Sequence, residues 1–182
     1  MNPAANLAFV GPMGAGKTTL GKRVAAALGL RFVDVDQQLE ELTGARVPVI
    51  FDCEGEAGFR ARETALIAQL CQQRGVLVAT GGGAVLDPEN RRRLHESAFV
   101  VHLHVGVDGQ LARLARDRSR PLLACADRRE KLQALAAQRE PLYAQVADLR
   151  HEASGGRPDA VARRLAAIIS AQWQRADTHA AA

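Results

Sequence analysis

At 182 residues, 47% of them hydrophobic, the chain has room for one domain with a buried core, or one with a small appended lid, and too little for a second full domain. Its net charge is +4, and Lys17, Lys22 and Lys131 are the only lysines, so 21 of the 24 basic residues are arginine; so uniform a skew marks no basic face, and aromatics at 4% give few rings to stack bases, which argues against a nucleic-acid partner. Cys53, Cys71 and Cys125 stand far apart without a CxxC, against both a disulfide framework and a zinc site; residues 1 to 10 carry no basic-then-apolar leader, no apolar run approaches a membrane span, and the expected location is the cytoplasm, with no membrane partner.

The first predicted element is a short apolar strand over residues 6–10. It runs into GPMGAGKTT, where Gly11, Gly16, Lys17 and Thr18 keep the GxxxxGKT spacing, and then into a helix from Lys17 that Gly29 ends. Gly11, Gly14 and Gly16 let backbone N–H groups turn toward an anion, and the helix N-terminus adds its positive dipole end. Gly14, Ala15, Gly16, Lys17, Thr18 and Thr19 are therefore expected to cradle a nucleoside triphosphate, with Lys17 on the β- and γ-phosphates and Thr18 on Mg²⁺.

A second strand, residues 32–35, is expected to place Asp34 and Asp36 on one face at its C-terminal end, which in an open parallel sheet looks into the ligand crevice. An N-cap role for the helix at residues 37–42 accounts for Asp36 alone; the pair fits carboxylates near Mg²⁺ and a substrate hydroxyl. Gly44 closes that helix, residues 47–53 read as a short helical turn, and a longer helix spans residues 56–74. Arg60 and Arg62 near its start oppose the helix dipole, a placement explained either by an anion or by Glu56 or Glu63 beside them.

Residues 76–79 form a third, fully apolar strand, followed by Thr80, Gly81, Gly82 and Gly83. Three glycines there leave backbone amides bare for close approach of a ligand, with a flexible loop as the alternative. After a helix from Pro88 to Leu94, a fourth strand carries His102 and His104 on one face; no Cys or carboxylate completes a metal site, so they read as core or strand-end residues. A helix at residues 108–115 precedes a polar, aperiodic stretch with Pro121, expected to be a mobile lid at about residues 116–127 whose Arg120 swings onto phosphates. The chain closes with a helix over residues 128–146 broken near Pro141, with Arg139 just ahead of the break, a fifth strand at 149–152, a Gly-rich turn, a helix to about residue 174, and a frayed tail over 176–182. The alternation predicts an α/β fold: a five-stranded parallel sheet between helical layers, in one domain over residues 1–175.

Taken together, GPMGAGKTTLGKRVAAALG, FVDVDQQLEELTG, VPVIFDCEGEAGFRARE, ATGGGAV, RPLLA and QREPLYAQVA resemble the shikimate kinase family, in its order and at its approximate spacings. The resemblance implies a P-loop NTPase-like three-layer fold, ATP as co-substrate, Mg²⁺, a monomer in the cytoplasm, and phosphorylation of the 3-hydroxyl of shikimate on the route to chorismate. It implies that Asp36, Arg60, Arg139 and the Gly81–Gly83 turn hold shikimate, Arg60 and Arg139 clamping its carboxylate and Asp36 its ring hydroxyls, including the one that attacks. It further implies Asp34 on Mg²⁺ through water, Arg120 on the transferring phosphoryl, and Arg113 stacked on adenine. Gly156 and Arg157 stand where the family often places an Arg and an Asn before Pro158, so Arg157 is expected on the adenine side. The rivals are a kinase of another small polyol acid such as gluconate, a nucleoside monophosphate kinase, and a P-loop regulator without catalysis; the triple glycine and RPLL argue against the first two, and the presence of Asp36, Arg60 and Arg139 against the third.

Overall fold

The structure, a computed structural model, describes residues 4–115, 117, 121–123, 125, 127–153 and 155–174. Five strands alternate with seven helices among these residues: β1 (Asn6–Val10), α1 (Lys17–Leu28), β2 (Arg31–Asp34), α2 (Val35–Thr43), α3 (Val47–Cys71), β3 (Val76–Ala79), α4 (Pro88–Ser97), β4 (Ala98–His104), α5 (Val107–Leu114), α6 (Arg128–Val146), β5 (Leu149–Glu152) and α7 (Pro158–Gln172). All strand pairs are parallel, in the order β2-β3-β1-β4-β5. The expected α/β class and strand count hold.

The period-2 alternation of the strands splits the core into two layers. Leu7 and Phe9 of β1, with Phe99, Val101 and Leu103 of β4, face Val24 of α1 and Leu165 and Ile169 of α7. Ala8 and Val10, with Val78 and Val100, face Phe59 and Ile67 of α3, Leu94 of α4 and Tyr143 of α6. The central strand is buried along its whole length, as a parallel strand covered on both sides must be. None of the helices among the described residues is long and apolar enough to cross a membrane.

Three differences from the sequence reading have a local physical cause. β2 stops at Asp34 instead of Val35, because Asp34 is itself the N-cap of α2: its carboxylate accepts the Gln37 N–H at 3.2 Å, and Asp36 falls in the first turn. The pattern Asp34-Val35-Asp36-Gln37 is a capping box, a signal that outranks the apolar run before it. Gly55, at φ 70° and ψ 179°, interrupts α3 and divides it near the expected place, although the element continues on both sides. The helix α6 runs through Pro141 instead of breaking there, since Tyr143 and Val146 beyond it are buried against the sheet and tertiary packing overrides the proline.

Register decides what meets at the C-terminal rim. Asp34 pairs with Ala79 and Ala79 with Phe9, so Asp34, Ala79 and Phe9 lie level at this rim, and the Thr80 N–H donates to the Phe9 carbonyl at 3.1 Å. The loop after β1 leaves from this rim with Gly11, Gly14 and Gly16 all at positive φ. At Gly11, φ 141° coincides with contact against the next strand: a Cβ there would drive into the Leu103 carbonyl, backbone that has no rotamer to yield. Gly11→Ala is expected to destabilise the protein by about 3 kcal/mol, which at this size lowers Tm by roughly 6–12 °C. A thermal melt within 2 °C or so of the parent would contradict the close packing of β1 and β4.

Candidate active site

The loop and helix start form the first wall. Lys17 Nζ donates to the carbonyls of Gly11 at 2.7 Å and Pro12 at 2.8 Å, which folds the ammonium back over the loop it would share with an anion. The Thr18 hydroxyl donates to Asp34 Oδ2 at 2.5 Å, so a hydroxyl from α1 and a carboxylate from the end of β2 lie in contact, two hard oxygen donors of the kind Mg²⁺ prefers. Asp34 therefore serves twice, as cap and as neighbour of Thr18.

The second wall is built on the triple glycine. None of Gly81, Gly82 and Gly83 has a positive φ, so backbone conformation does not require glycine at any of them. Space does. A Cβ on Gly81 would strike Glu63 Oε1 and lie 3.2 Å from Asp36 Oδ1; one on Gly82 would lie 3.5 Å from the Gly11 carbonyl and Met13 N and 3.7 Å from Arg139 Nη1; one on Gly83 would overlap the Arg60 guanidinium. The turn lacks side chains so that four functional side chains and the phosphate loop can converge on it.

Gly81→Ala is accordingly expected to lower kcat/KM at least tenfold, because Glu63 is fully buried and cannot retreat without breaking its pair with Arg60. Steady-state assays on folded protein check this, and an unchanged kcat/KM would remove Gly81 from the site.

Arg60 donates to Glu63 Oε2 at 2.6 Å and contacts Glu56 at 3.2 Å. Of the two explanations for an arginine near a helix start, neutralisation by neighbouring carboxylates is present, and Arg60 still reaches the turn with its guanidinium against Gly83. Burial works against its charge, but Glu63 and Glu56 more than offset this and raise its pKa. Burial pushes the Glu63 carboxyl up, opposed by Arg60, while the Asp36 carboxylate adds to the rise. Arg139, from α6, is 5% exposed, and its Nε has no hydrogen-bond partner among the described residues. Burial and the nearby Arg60 charge press its pKa down, a pair of guanidiniums that an incoming anion would relieve. Tyr143, one turn on, donates its hydroxyl to the Gly82 carbonyl at 2.5 Å and pins the turn to α6. Glu63 as a contact of both Arg60 and Asp36, and Tyr143 as an anchor, are functional neighbours the sequence reading did not assign; the i, i+3 spacing of Arg60 and Glu63 is the only local signal for the former.

Both walls enclose one cleft of about 930 Å³, lined among others by Gly14 to Thr19, Asp34, Asp36, Arg60, Gly81 to Gly83, Arg113 and Arg139. Arg113 donates to the Gly14 carbonyl at 2.8 Å and to the Ala153 carbonyl, which tethers the phosphate loop to the segment after β5. Of that segment Ala153, Gly155 and Gly156 line the cleft, whereas Arg157, the exposed residue before α7, does not. Arg120 lies outside the described residues.

The shikimate kinase family model matches residues 13–170. The chain belongs to the shikimate kinase family. It is 52% identical over 180 residues to a shikimate kinase of Xanthomonas euvesicatoria pv. vesicatoria, covering 99% of this chain and all of the relative, and 49% identical over 177 residues to one of Stenotrophomonas maltophilia, covering 97% and 98%. Among solved structures, shikimate kinase from Acinetobacter baumannii in complex with shikimate superposes with a TM-score of 0.89 at 42% identity, over 92% of this chain and 94% of that one. A gluconokinase from Sinorhizobium meliloti, at 17% identity and TM-score 0.56 over 94% of this chain and 99% of that one, shares the fold alone. Family membership makes the chain an ATP-using kinase with an alcohol acceptor.

Proposed function

We propose that the cleft carries the ATP-dependent phosphorylation of shikimate at its 3-hydroxyl, with the triphosphate on the Gly14–Thr19 cradle and shikimate on the triple-glycine side. The observation that carries this reading is the convergence of Arg60, Arg139, Asp36 and Glu63 on three glycines beside the phosphate loop, a charge pattern made for a small hydroxylated carboxylate. Two planar guanidiniums grip a carboxylate with fixed geometry, which a lysine would not do. Asp36 accepts the hydrogen bond of the attacking hydroxyl and aims its oxygen at the γ-phosphorus. Lys17 leaves the Gly11 and Pro12 carbonyls for the phosphate oxygens and stabilises the charge that spreads over them. Thr18 and Asp34 would hold Mg²⁺, which when bound would supply charge neutralisation at the phosphates. Arg113 packs beside the adenine, held by its two carbonyl partners, with backbone from Gly155 and Gly156 opposite in place of an Arg157 side chain. Arg120, in a lid at about residues 116–127, is assigned to the transferring phosphoryl by the family resemblance. A cytoplasmic, monomeric enzyme is what the family resemblance implies for this reading.

A coupled ADP-release assay with ATP and Mg²⁺, run with shikimate, gluconate, AMP and CMP in parallel, tests the reading. Turnover with shikimate alone is expected; turnover with gluconate or a nucleotide and none with shikimate would overturn it.

A further inference from the structure

His102 and His104 of β4 gain in three dimensions the carboxylate that they lack in sequence. Both side chains point to the α6 side of the sheet, where Glu140 stands. His104 Nδ1 lies 3.0 Å from Glu140 Oε1, His102 Nε2 lies 3.8 Å from Glu140 Oε2, and one donor atom of each of the three falls within 4.8 Å of the others. The two imidazoles meet edge-on with ring centroids 5.7 Å apart. His102 is completely buried, and neither of its ring nitrogens has a hydrogen-bond partner among the described residues. An orphaned imidazole in the interior is costly and calls for an explanation. Stacking of its ring on Tyr143, 4.9 Å between centroids, satisfies the ring faces and leaves the nitrogens bare.

We propose that His102, His104 and Glu140 form a metal site, separate from the phosphate cleft, for a borderline divalent transition ion, Zn²⁺ foremost. Two imidazoles and one carboxylate are a donor set for such an ion and a poor one for Mg²⁺ or Ca²⁺, which take oxygen. Bonds of about 2.0–2.2 Å in a tetrahedron require ligand atoms about 3.4 Å apart, so the pair at 3.8 Å needs to close by a few tenths of an ångström and no pair by more than about 1.4 Å. Glu140, with its side chain 37% exposed, has the freedom to do so and leaves the fourth position open to water. Three other charged contacts bear on the site. Glu152 Oε2 lies 3.9 Å from His104 Nε2, on the ring's far side, where it orients the imidazole. Arg150 approaches Glu140 at 3.9 Å, and its closer partner is Glu152 at 3.0 Å, to which it withdraws when Glu140 turns to the metal. None of the three proposed ligands lines the catalytic cleft, although Glu140 directly follows Arg139.

The test is Zn²⁺ titration by calorimetry on the chelator-treated full chain carrying Cys53→Ser and Cys125→Ser, which removes the exposed thiols, with Co²⁺ as a spectroscopic probe. Expected are one Zn²⁺ per chain, visible bands of tetrahedral Co²⁺ without thiolate charge transfer, and at least tenfold weaker binding in both Glu140→Gln and His104→Gln. Glu140→Gln changes a part-exposed side chain at constant shape, so it keeps the test open if the histidine variant folds poorly. No saturable Zn²⁺ binding, or binding that Glu140→Gln leaves unchanged, overturns the proposal.

Discussion

Asp36→Asn is expected to lower kcat about 10³-fold with the fold intact. The substitution keeps the size of the side chain and its place in the first turn of α2, so the capping bond from Gln37 to Asp34 and the packing of α2 are untouched. What changes is charge. A carboxylate that accepts the attacking hydroxyl's hydrogen bond becomes an amide that accepts more weakly and takes no proton, and positioned proton acceptors contribute on the order of 10² to 10⁴ in rate, or about 3–5 kcal/mol. Glu63 does not substitute for it. Its carboxylate is fully buried, tied to Arg60 and raised in pKa by burial, so it supports the site from behind. Pre-steady-state phosphoryl transfer in the variant checks the prediction, and a rate near that of the parent would assign the hydroxyl to another group.

The second large effect is expected at Arg139. Arg139→Ala raises the KM for shikimate about 100-fold while kcat changes only a few-fold, since a charge-assisted hydrogen bond contributes roughly 1.5–3 kcal/mol and a factor of ten corresponds to about 1.4 kcal/mol. A loss confined to KM is the mark of binding that ground state and transition state share. Arg139→Lys is expected to recover little of it, because a single ammonium cannot reproduce the planar fork, and the buried setting beside Arg60 penalises a more strongly hydrated charge. The same change should leave the KM for ATP within about twofold, as Arg139 is assigned to the shikimate carboxylate and not to the triphosphate. If instead the ATP constant rose with the shikimate constant, the partition of the cleft into two halves would be wrong.

How much of this was readable beforehand depends on whether the signal was local. β1 and β3 begin and end where their apolar runs and flanking turn residues do, because a buried parallel strand has nothing else to specify it. The phosphate loop was legible for the same reason: its chemistry is contiguous in sequence. Asp34 and Asp36 both line the cleft, yet not from one strand face: one caps α2 and the other lies in its first turn, since a helix cap and a strand end compete for the same residues. The triple glycine was placed correctly for an incomplete reason. Its requirement comes from Glu63, Asp36 and Arg60, side chains 18 to 45 residues away in sequence, and no window around residues 81–83 contains them. Pro141 was read as a break because proline's local cost is known and the burial of Tyr143 and Val146 beyond it is not. His102 and His104 were set aside as metal ligands for want of a carboxylate, which α6 supplies 36 residues later. Contacts between elements, then, are what the sequence withheld.

The most direct test of the central claim is a crystal structure of the protein with shikimate, Mg²⁺ and a non-hydrolysable ATP analogue. The account predicts the shikimate carboxylate between the guanidiniums of Arg60 and Arg139, its 3-hydroxyl on Asp36, and the terminal phosphate on Lys17. A carboxylate bound away from both arginines, or a 3-hydroxyl turned from Asp36, would contradict it.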